Sequence, residues 1–278
     1  MRLALPFEYD FDSALVRMSK DPLNSVELAG KSVQVPLAAG NLVTVKAIGT
    51  DKEPVFEIIG AEEEQRQNIM EIFHFHQSLD PIYEHFQETS LSNLFDEHRG
   101  TPIVREFSLY AALMKSIIHQ QLNMAFAHTL TSRFVKTYGH EKSGVWFYPA
   151  PEKIANTDPL EFREMQFSTR KAEYIIGLSK AIADGRLDLE GMRFKEDDEI
   201  RAELVAYRGI GPWTAENFLL FGLGRPNLFP VADIGLQNAL KIQWNLELKP
   251  KPDEILPHLP EWSPYLSYAA LYLWRSIE

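Results

Sequence analysis

Apolar residues alternate with polar ones in the first part of the chain and recur every three or four residues in the rest. Alternation with period two predicts strands over residues 32–35, 42–48 and 55–59, separated by glycine turns. Residues 12–19 fit a short helix with Asp12 as its N-cap. This region therefore predicts a small antiparallel sheet with one helix.

From residue 61 onward the pattern has the period of amphipathic helices. Asn123 is expected to cap one of them, and Gly139 to close it. The predicted helices cover residues 62–77, 107–122, 124–138, 159–164, 170–184, 197–207, 212–221, 234–243, 252–256 and 265–275. The predicted fold class is α+β: a small N-terminal antiparallel β-sheet domain over residues 1–65, followed by an all-α body over 66–278.

The composition is that of an ordinary globular protein, with 45% hydrophobic and 24% charged residues among 278. The chain has no cysteine, which excludes disulfides, thiolate zinc sites and iron–sulfur clusters. The N-terminus does not resemble a signal peptide, and no apolar run approaches the ~20 residues of a membrane span. A cytoplasmic protein without membrane contact is expected.

The net charge of −11 weakens an interpretation as a nucleic-acid-binding protein, because a phosphate backbone repels an acidic surface. The charge is uneven, however. Residues 1–100 hold 17 acidic and 8 basic side chains, a net of −9, and the remaining 22 and 20 leave only −2 for residues 101–278. The second part of the chain can therefore still present a basic surface.

A tight glycine turn, Gly209-Ile210-Gly211, joins two predicted helices, and Pro212 begins the second of them. Such a turn is either an ordinary joint or a phosphate-binding site, because its free backbone N–H groups and the helix dipole attract an anion. The backbone carbonyls of Val205, Tyr207 and Gly209 are also candidate ligands for a monovalent cation, Na⁺ or K⁺.

Asp233 is a single acid in an apolar, proline-bounded segment, twenty-two residues after the second glycine of the turn. One interpretation is an N-cap for the helix over 234–243. The other is a catalytic carboxylate that stabilises a developing positive charge. The two roles are compatible, because a capping carboxylate is held in place by backbone N–H groups.

Two further groups of residues have both a structural and a functional interpretation. Gln120, Gln121 and Leu122 end a helix and are either solvated or able to enter a duplex as a wedge. The aromatic residues of the second half are either core or, in part, a slot for a flat base. They are Trp213, Phe218, Trp262, Tyr265, Tyr268, Tyr272 and Trp274.

These motifs together resemble the helix-hairpin-helix DNA glycosylase superfamily, and within it the 3-methyladenine DNA glycosylase II (AlkA-type) family. The resemblance covers about residues 101–275, and less specifically residues 7–12. The segments that carry it are Ser116–Gln121, Arg170–Glu173, Gly209–Ala215, Phe229–Leu236 and Trp262–Ala269 followed by Trp274.

The resemblance implies a helical body of two lobes with a cleft between them. The central lobe covers about residues 107–235, with the helix-hairpin-helix over 197–221, and the second lobe combines 66–106 with 236–278. The implied partner is double-stranded DNA containing a damaged base, bound by a monomer in the nucleoid. Backbone contacts are expected from Gly209, Ile210, Gly211 and Thr214.

The implied chemistry is base flipping followed by hydrolysis of the glycosidic bond, with Asp233 beside the sugar. Members that also cut the strand have a lysine after the proline of the turn, whereas this chain has Trp213, so a monofunctional hydrolase is expected. Trp213 and Trp274 are expected to stack on alkylated purines such as 3-methyladenine and 7-methylguanine. No cofactor is required.

The chain departs from the family at two pocket positions, Asn217 and Ile234, where members often have aromatic residues. Gln121 occupies the intercalating position, with Leu122 as the alternative. Two other functions stay open: a related glycosylase for deaminated, oxidised or mismatched bases, and a non-catalytic protein that uses the hairpin only to bind DNA.

Overall fold

A computed structural model describes all 278 residues. The N-terminal region forms a five-stranded antiparallel sheet in the order β1-β5-β4-β3-β2, and a separate hairpin pairs β6 with β7. The strands are β1 Arg2–Ala4, β2 Ser25–Glu27, β3 Ser32–Leu37, β4 Asn41–Ala47, β5 Val55–Ile59, β6 His140–Lys142 and β7 Val145–Phe147. The three strands predicted from alternation are confirmed. The other four have three residues each, too few to display a period.

Fifteen α-helices follow the strands or lie between them: α1 Phe11–Ser19, α2 Glu63–Ile72, α3 Asp80–Phe86, α4 Ser92–Glu97, α5 Leu109–His119, α6 Met124–Tyr138, α7 Pro151–Ala155, α8 Pro159–Glu164, α9 Thr169–Ala183, α10 Asp197–Val205, α11 Pro212–Asn217, α12 Ile234–Gln243, α13 Pro252–Ile255, α14 Leu259–Trp262 and α15 Leu266–Arg275. None of them is long and apolar enough to cross a membrane. The α+β fold class predicted from sequence is confirmed, but the body expected to be all-α contains the β6–β7 hairpin, whose strands are too short to show alternation in the sequence.

The caps of two helices test the prediction at the level of single residues. Asn123 caps α6 by accepting a hydrogen bond from the backbone N–H of Phe126, as expected. The expectation that Asp12 caps α1 is wrong. Asp10 is the cap, and its carboxylate accepts from Ser13 N at 2.9 Å. Asp12 lies in the first turn and pairs with Lys31 instead.

The buried side chains form two hydrophobic clusters. The first has 36 buried residues and joins the sheet to α1–α4 and to the C-terminal helices from α12 onward. The second has 31 buried residues, mainly from α5 to α11. The sheet and the neighbouring helices thus share one cluster, and the division at residue 65 remains a prediction. Trp274 packs against both clusters and therefore lies at the seam between them.

A buried ion cluster links the segment after α1 to α5. The ammonium of Lys115 lies 2.7 Å from a carboxylate oxygen of Asp21 and 2.7 Å from one of Glu106. Burial alone would raise the pKa of Asp21, but the charge and hydrogen bond of Lys115, together with the hydrogen bond from Leu23 N–H, outweigh it, and the pKa is lowered. The folded state therefore gains stability from this carboxylate above its unfolded pKa and loses that stability as the pH falls through the lowered value.

Replacing Lys115 by Met should lower the free energy of unfolding by about 3–5 kcal/mol, because two mostly buried carboxylates lose their cation. The cost should shrink in acid, where those carboxylates take up protons. Urea unfolding at neutral and acidic pH measures both effects. Lys52→Met, at an exposed loop position, is the matched control and should change little. Equal stability of the two variants would contradict the role given to the cluster.

Candidate active site

The hairpin connects α10 to α11 and needs glycine at only one of its two glycine positions for folding. Gly209 has a φ of +99°, and a Cβ there would come within 2.3 Å of the Tyr174 ring. Gly211 has an ordinary φ of −101°, and a Cβ there would meet no atom within 4 Å. The fold therefore requires glycine at position 209, whereas a Cβ at position 211 would point into open space.

The hairpin is tied to the end of α5 by Gln120. Its side-chain amide donates to the carbonyl of Gly209 at 2.8 Å and to the hydroxyl of Thr214 at 2.7 Å. Lys171 donates to the carbonyls of Ile118 and Gln120 at 2.6 and 3.0 Å, at the same helix end. Burial lowers the pKa of Lys171 to about 8. The loop after α5 and the hairpin are thus braced as one unit.

Several groups that the sequence analysis named as candidate cation ligands or DNA contacts are already hydrogen-bonded within the protein. The carbonyl of Gly209 accepts from Gln120, and that of Tyr207 accepts from Ile210 N at 3.1 Å. The hydroxyl of Thr214 is likewise bonded within the protein, and Thr214 is buried. No group of three or more His, Asp or Glu side chains is arranged to hold a metal ion.

The loop between α5 and α6 exposes two polar residues, Gln121 and Asn123, and the side chain of Asn123 caps α6. Gln121 is exposed and has a φ of +57°, in the left-handed region that non-glycine residues rarely adopt. Leu122 is half-buried and packs against the second hydrophobic cluster. Met124, which the sequence reasoning missed, is 60% exposed at the start of α6. Gln121 therefore protrudes more than Leu122 does.

Three N–H groups converge on the carboxylate of Asp233, the N-cap of α12. Its Oδ1 accepts from the backbone N–H of Leu236 and from the indole N–H of Trp274, both at 3.0 Å. Its Oδ2 faces the indole N–H of Trp213 at 3.4 Å. Asp233 is half-buried. Asp233 is therefore an N-cap, as one interpretation of the sequence predicted. Its carboxylate is held in one orientation while the residue stays partly accessible to solvent.

Gly235 makes room for this arrangement. A Cβ at this position would lie 3.0 Å from Asp233 Oδ1 and 3.1 Å from Trp274 Nε1. A larger residue would therefore press on the two atoms that form the carboxylate–indole hydrogen bond. No local sequence signal marks this glycine, since its requirement comes from a helix that lies 31 or more residues further along the chain.

The remaining pocket candidates differ in accessibility. The amide of Asn217 turns back to donate to the carbonyl of Trp213 at 2.8 Å, and Ile234 is 61% exposed beside Asp233. Phe221, which the sequence reasoning missed, lies with its ring centroid 5.8 Å from that of Trp274. Four of the aromatic candidates are buried in the core: Phe218, Trp262, Tyr268 and Tyr272.

Comparisons with known proteins show the family to which the chain belongs. The sequence profile described as "HhH-GPD superfamily base excision DNA repair protein" matches residues 114–264. The chain is 51% identical to the putative DNA-3-methyladenine glycosylase YfjP of Bacillus subtilis, over 97% of this chain and 96% of that protein. It is 30% identical to a second Bacillus subtilis protein, a DNA-3-methyladenine glycosylase, over 98% and 95% of the two chains.

The fold is also similar to that of 3-methyladenine DNA-glycosylase from Archaeoglobus fulgidus, with a TM-score of 0.81 and 24% identity, covering 99% of this chain and 97% of that one. The chain belongs to the HhH-GPD superfamily of base excision DNA repair proteins, and within it to the AlkA-type family. The family predicted from sequence is confirmed, and the protein is a DNA glycosylase.

Gly235→Ala should slow base release from DNA by roughly tenfold or more, because its Cβ displaces the Asp233 carboxylate or the Trp274 indole. The unfolding temperature should change little. Gly177→Ala is the matched control, since Gly177 is exposed on α9 and a Cβ there meets nothing within 4 Å. The control should keep full activity and gain about 1 kcal/mol of stability. Single-turnover release assays and thermal unfolding distinguish the two variants.

Proposed function

We propose that this protein is a monofunctional DNA glycosylase that flips alkylated purines, such as 3-methyladenine and 7-methylguanine, out of the duplex and removes them by hydrolysis in base excision repair. The observation that carries the proposal is the carboxylate of Asp233, oriented by three N–H donors yet half-exposed. The names of the two Bacillus subtilis relatives support the substrate class. A protein that only bound DNA would gain nothing from a fixed anion beside the phosphates.

The proposed mechanism is electrostatic. An alkylated purine that carries a positive charge is already a good leaving group, so the enzyme has no need to protonate it. As the glycosidic bond stretches, positive charge moves to the sugar, and the Asp233 carboxylate stabilises it and orients the attacking water. The two indole N–H groups hold the carboxylate in position, and in this proposal the base stacks on the rings of Trp213 and Trp274.

Trp213 occupies the position at which strand-cutting relatives carry a lysine nucleophile. An indole nitrogen cannot form a Schiff base with the sugar, so the product is an intact strand with an abasic site. The runner-up, a related glycosylase for deaminated or oxidised bases, has the same site and differs only in the base it accepts. The observation that favours this alternative is the presence of Asn217 and Ile234 at pocket positions where family members often have aromatic residues.

DNA binding in this proposal depends on the hairpin and the loop after α5 rather than on bulk charge. In the turn, the N–H of Ile210 already donates to the Tyr207 carbonyl, so the N–H groups offered to a phosphate are those of Gly209 and Gly211, and the exposed Gln121 fills the space left by the flipped base. A monomer suffices, and no cofactor is needed. A structural Na⁺ or K⁺ at the carbonyls of Val205, Tyr207 and Gly209 would need to share the Gly209 oxygen with Gln120.

Asp233→Asn should reduce release of 7-methylguanine from methylated duplex DNA by about 10²-fold or more, because the anion that stabilises the sugar cation is lost. Chromatography of the released bases measures the rate, and gel analysis should find the strand intact for the wild type. The matched control is Asp158→Asn, which alters another N-cap carboxylate, on α8. Undiminished release by Asp233→Asn, with normal DNA binding, would refute the catalytic role.

Gly211→Ala should keep the unfolding temperature but weaken binding to a duplex with an abasic-site analogue by about tenfold, because a Cβ in the open space keeps the phosphate from the backbone. Gly209→Ala should instead lower stability by about 1–3 kcal/mol, through strain at positive φ and the clash with Tyr174. Anisotropy titration and thermal unfolding separate the two effects. Unchanged affinity of Gly211→Ala would argue against phosphate contact at the turn.

A further inference from the structure

Arg17 lies beside the proposed base pocket although it comes from the N-terminal region. It occupies the last turn of α1. Its guanidinium carbon is 5.3 Å from the ring centroid of Phe221 and 5.8 Å from that of Trp274. Trp274 also donates to Asp233. The Arg17 guanidinium is therefore separated from the catalytic carboxylate by one indole ring.

The guanidinium is incompletely satisfied within the protein. Its Nη1 atom is buried and has no hydrogen-bond partner. The carboxylates whose charge acts on it are those of Glu278 and Glu106, and both are engaged elsewhere. Glu278 pairs with Lys20 at 3.1 Å, and Glu106 pairs with Lys115 at 2.7 Å. Burial lowers the pKa of Arg17, although the charges of Glu278 and Glu106 act in the opposite direction.

A buried donor without an acceptor is costly, so a ligand that supplies an acceptor for it gains binding energy. The aromatic rings beside it hold the guanidinium by cation–π attraction but offer no hydrogen-bond acceptor. A flipped base that reaches the Trp274 ring can supply one, since purines carry carbonyl oxygens and ring nitrogens on their edges. The unpaired donor of Arg17 and the acceptors on such a base thus complement each other chemically.

We propose that Arg17 is a specificity-determining residue, which favours flipped damaged bases that are uncharged and present a hydrogen-bond acceptor, and disfavours bases that carry a positive charge. This inference rests on the proposed glycosylase function and refines its substrate range. The same enzyme releases cationic purines such as 7-methylguanine, but more slowly relative to neutral lesions than it would with an uncharged side chain at position 17, because like charges repel in the cleft.

The test compares two duplexes of the same sequence, one containing hypoxanthine, a neutral deaminated purine, and the other 7-methylguanine. Arg17→Met keeps an unbranched apolar stem and removes both charge and donors. Its single-turnover rate should fall on hypoxanthine and hold or rise on 7-methylguanine, so that the ratio of the rates shifts by roughly tenfold towards 7-methylguanine. Arg17→Lys keeps the charge but, with a shorter side chain and no planar guanidinium, places no donor where Nη1 lies, so it should lose rate on hypoxanthine alone.

Arg186→Met, at an exposed arginine paired with Asp184, is the matched control and should leave the ratio unchanged. A change of both rates by the same factor in Arg17→Met would overturn the proposal, since a structural role predicts that result. Release of 7-methylguanine by the wild type without release of hypoxanthine would also overturn it. If Arg17→Met fails to fold, an unchanged ratio in Arg17→Lys overturns it. Release of neither base by the wild type would instead refute the glycosylase proposal itself.

Discussion

The candidate site depends on one interaction: the carboxylate of Asp233 is held between helices that are distant in sequence. Asp233 begins α12, Trp213 belongs to α11 and Trp274 to α15, and their N–H groups meet at its two oxygens. Each of these helices is held in place by other contacts. Arg275 on α15 pairs with Asp10, the cap of α1, at 2.8 Å. The geometry of the carboxylate is therefore a property of the whole fold, including the N-terminal sheet region.

The acidic character of the chain is compatible with DNA binding because the proposed contacts are local. Nine of the eleven net negative charges arise in residues 1–100, most of which form the sheet and the helices packed on it. The hairpin lies in the nearly neutral part of the chain, and main-chain N–H groups attract phosphate without any net side-chain charge. The exposed Ile234 and Gln121 add apolar and polar surface, without adding negative charge.

The sequence predicted what depends on local physics and missed what depends on tertiary contacts. Asn123 and Asp233 could be identified as caps because capping involves residues only two or three positions away. Asp12 lies in the first turn of α1 and pairs with Lys31, a contact that only the folded sheet brings about and that the local sequence does not reveal. The direction of the two indole N–H groups, and the placement of Arg17 beside Trp274, left no periodic or motif signal at all.

The loop that carries Gln121 shows how the fold maintains an unfavourable conformation next to the proposed pocket. A left-handed backbone at a non-glycine residue costs roughly 1–2 kcal/mol and persists only where neighbouring contacts determine it. Lys171 fixes the carbonyls on the near side of Gln121, and Gln120 is bonded to the hairpin. The side chain of Gln121 is thus directed outward before DNA arrives, so the entropy of ordering the loop is already lost on folding. In the proposed function, a braced loop and a braced carboxylate, joined through the same hairpin, give the duplex a rigid surface against which a base is flipped.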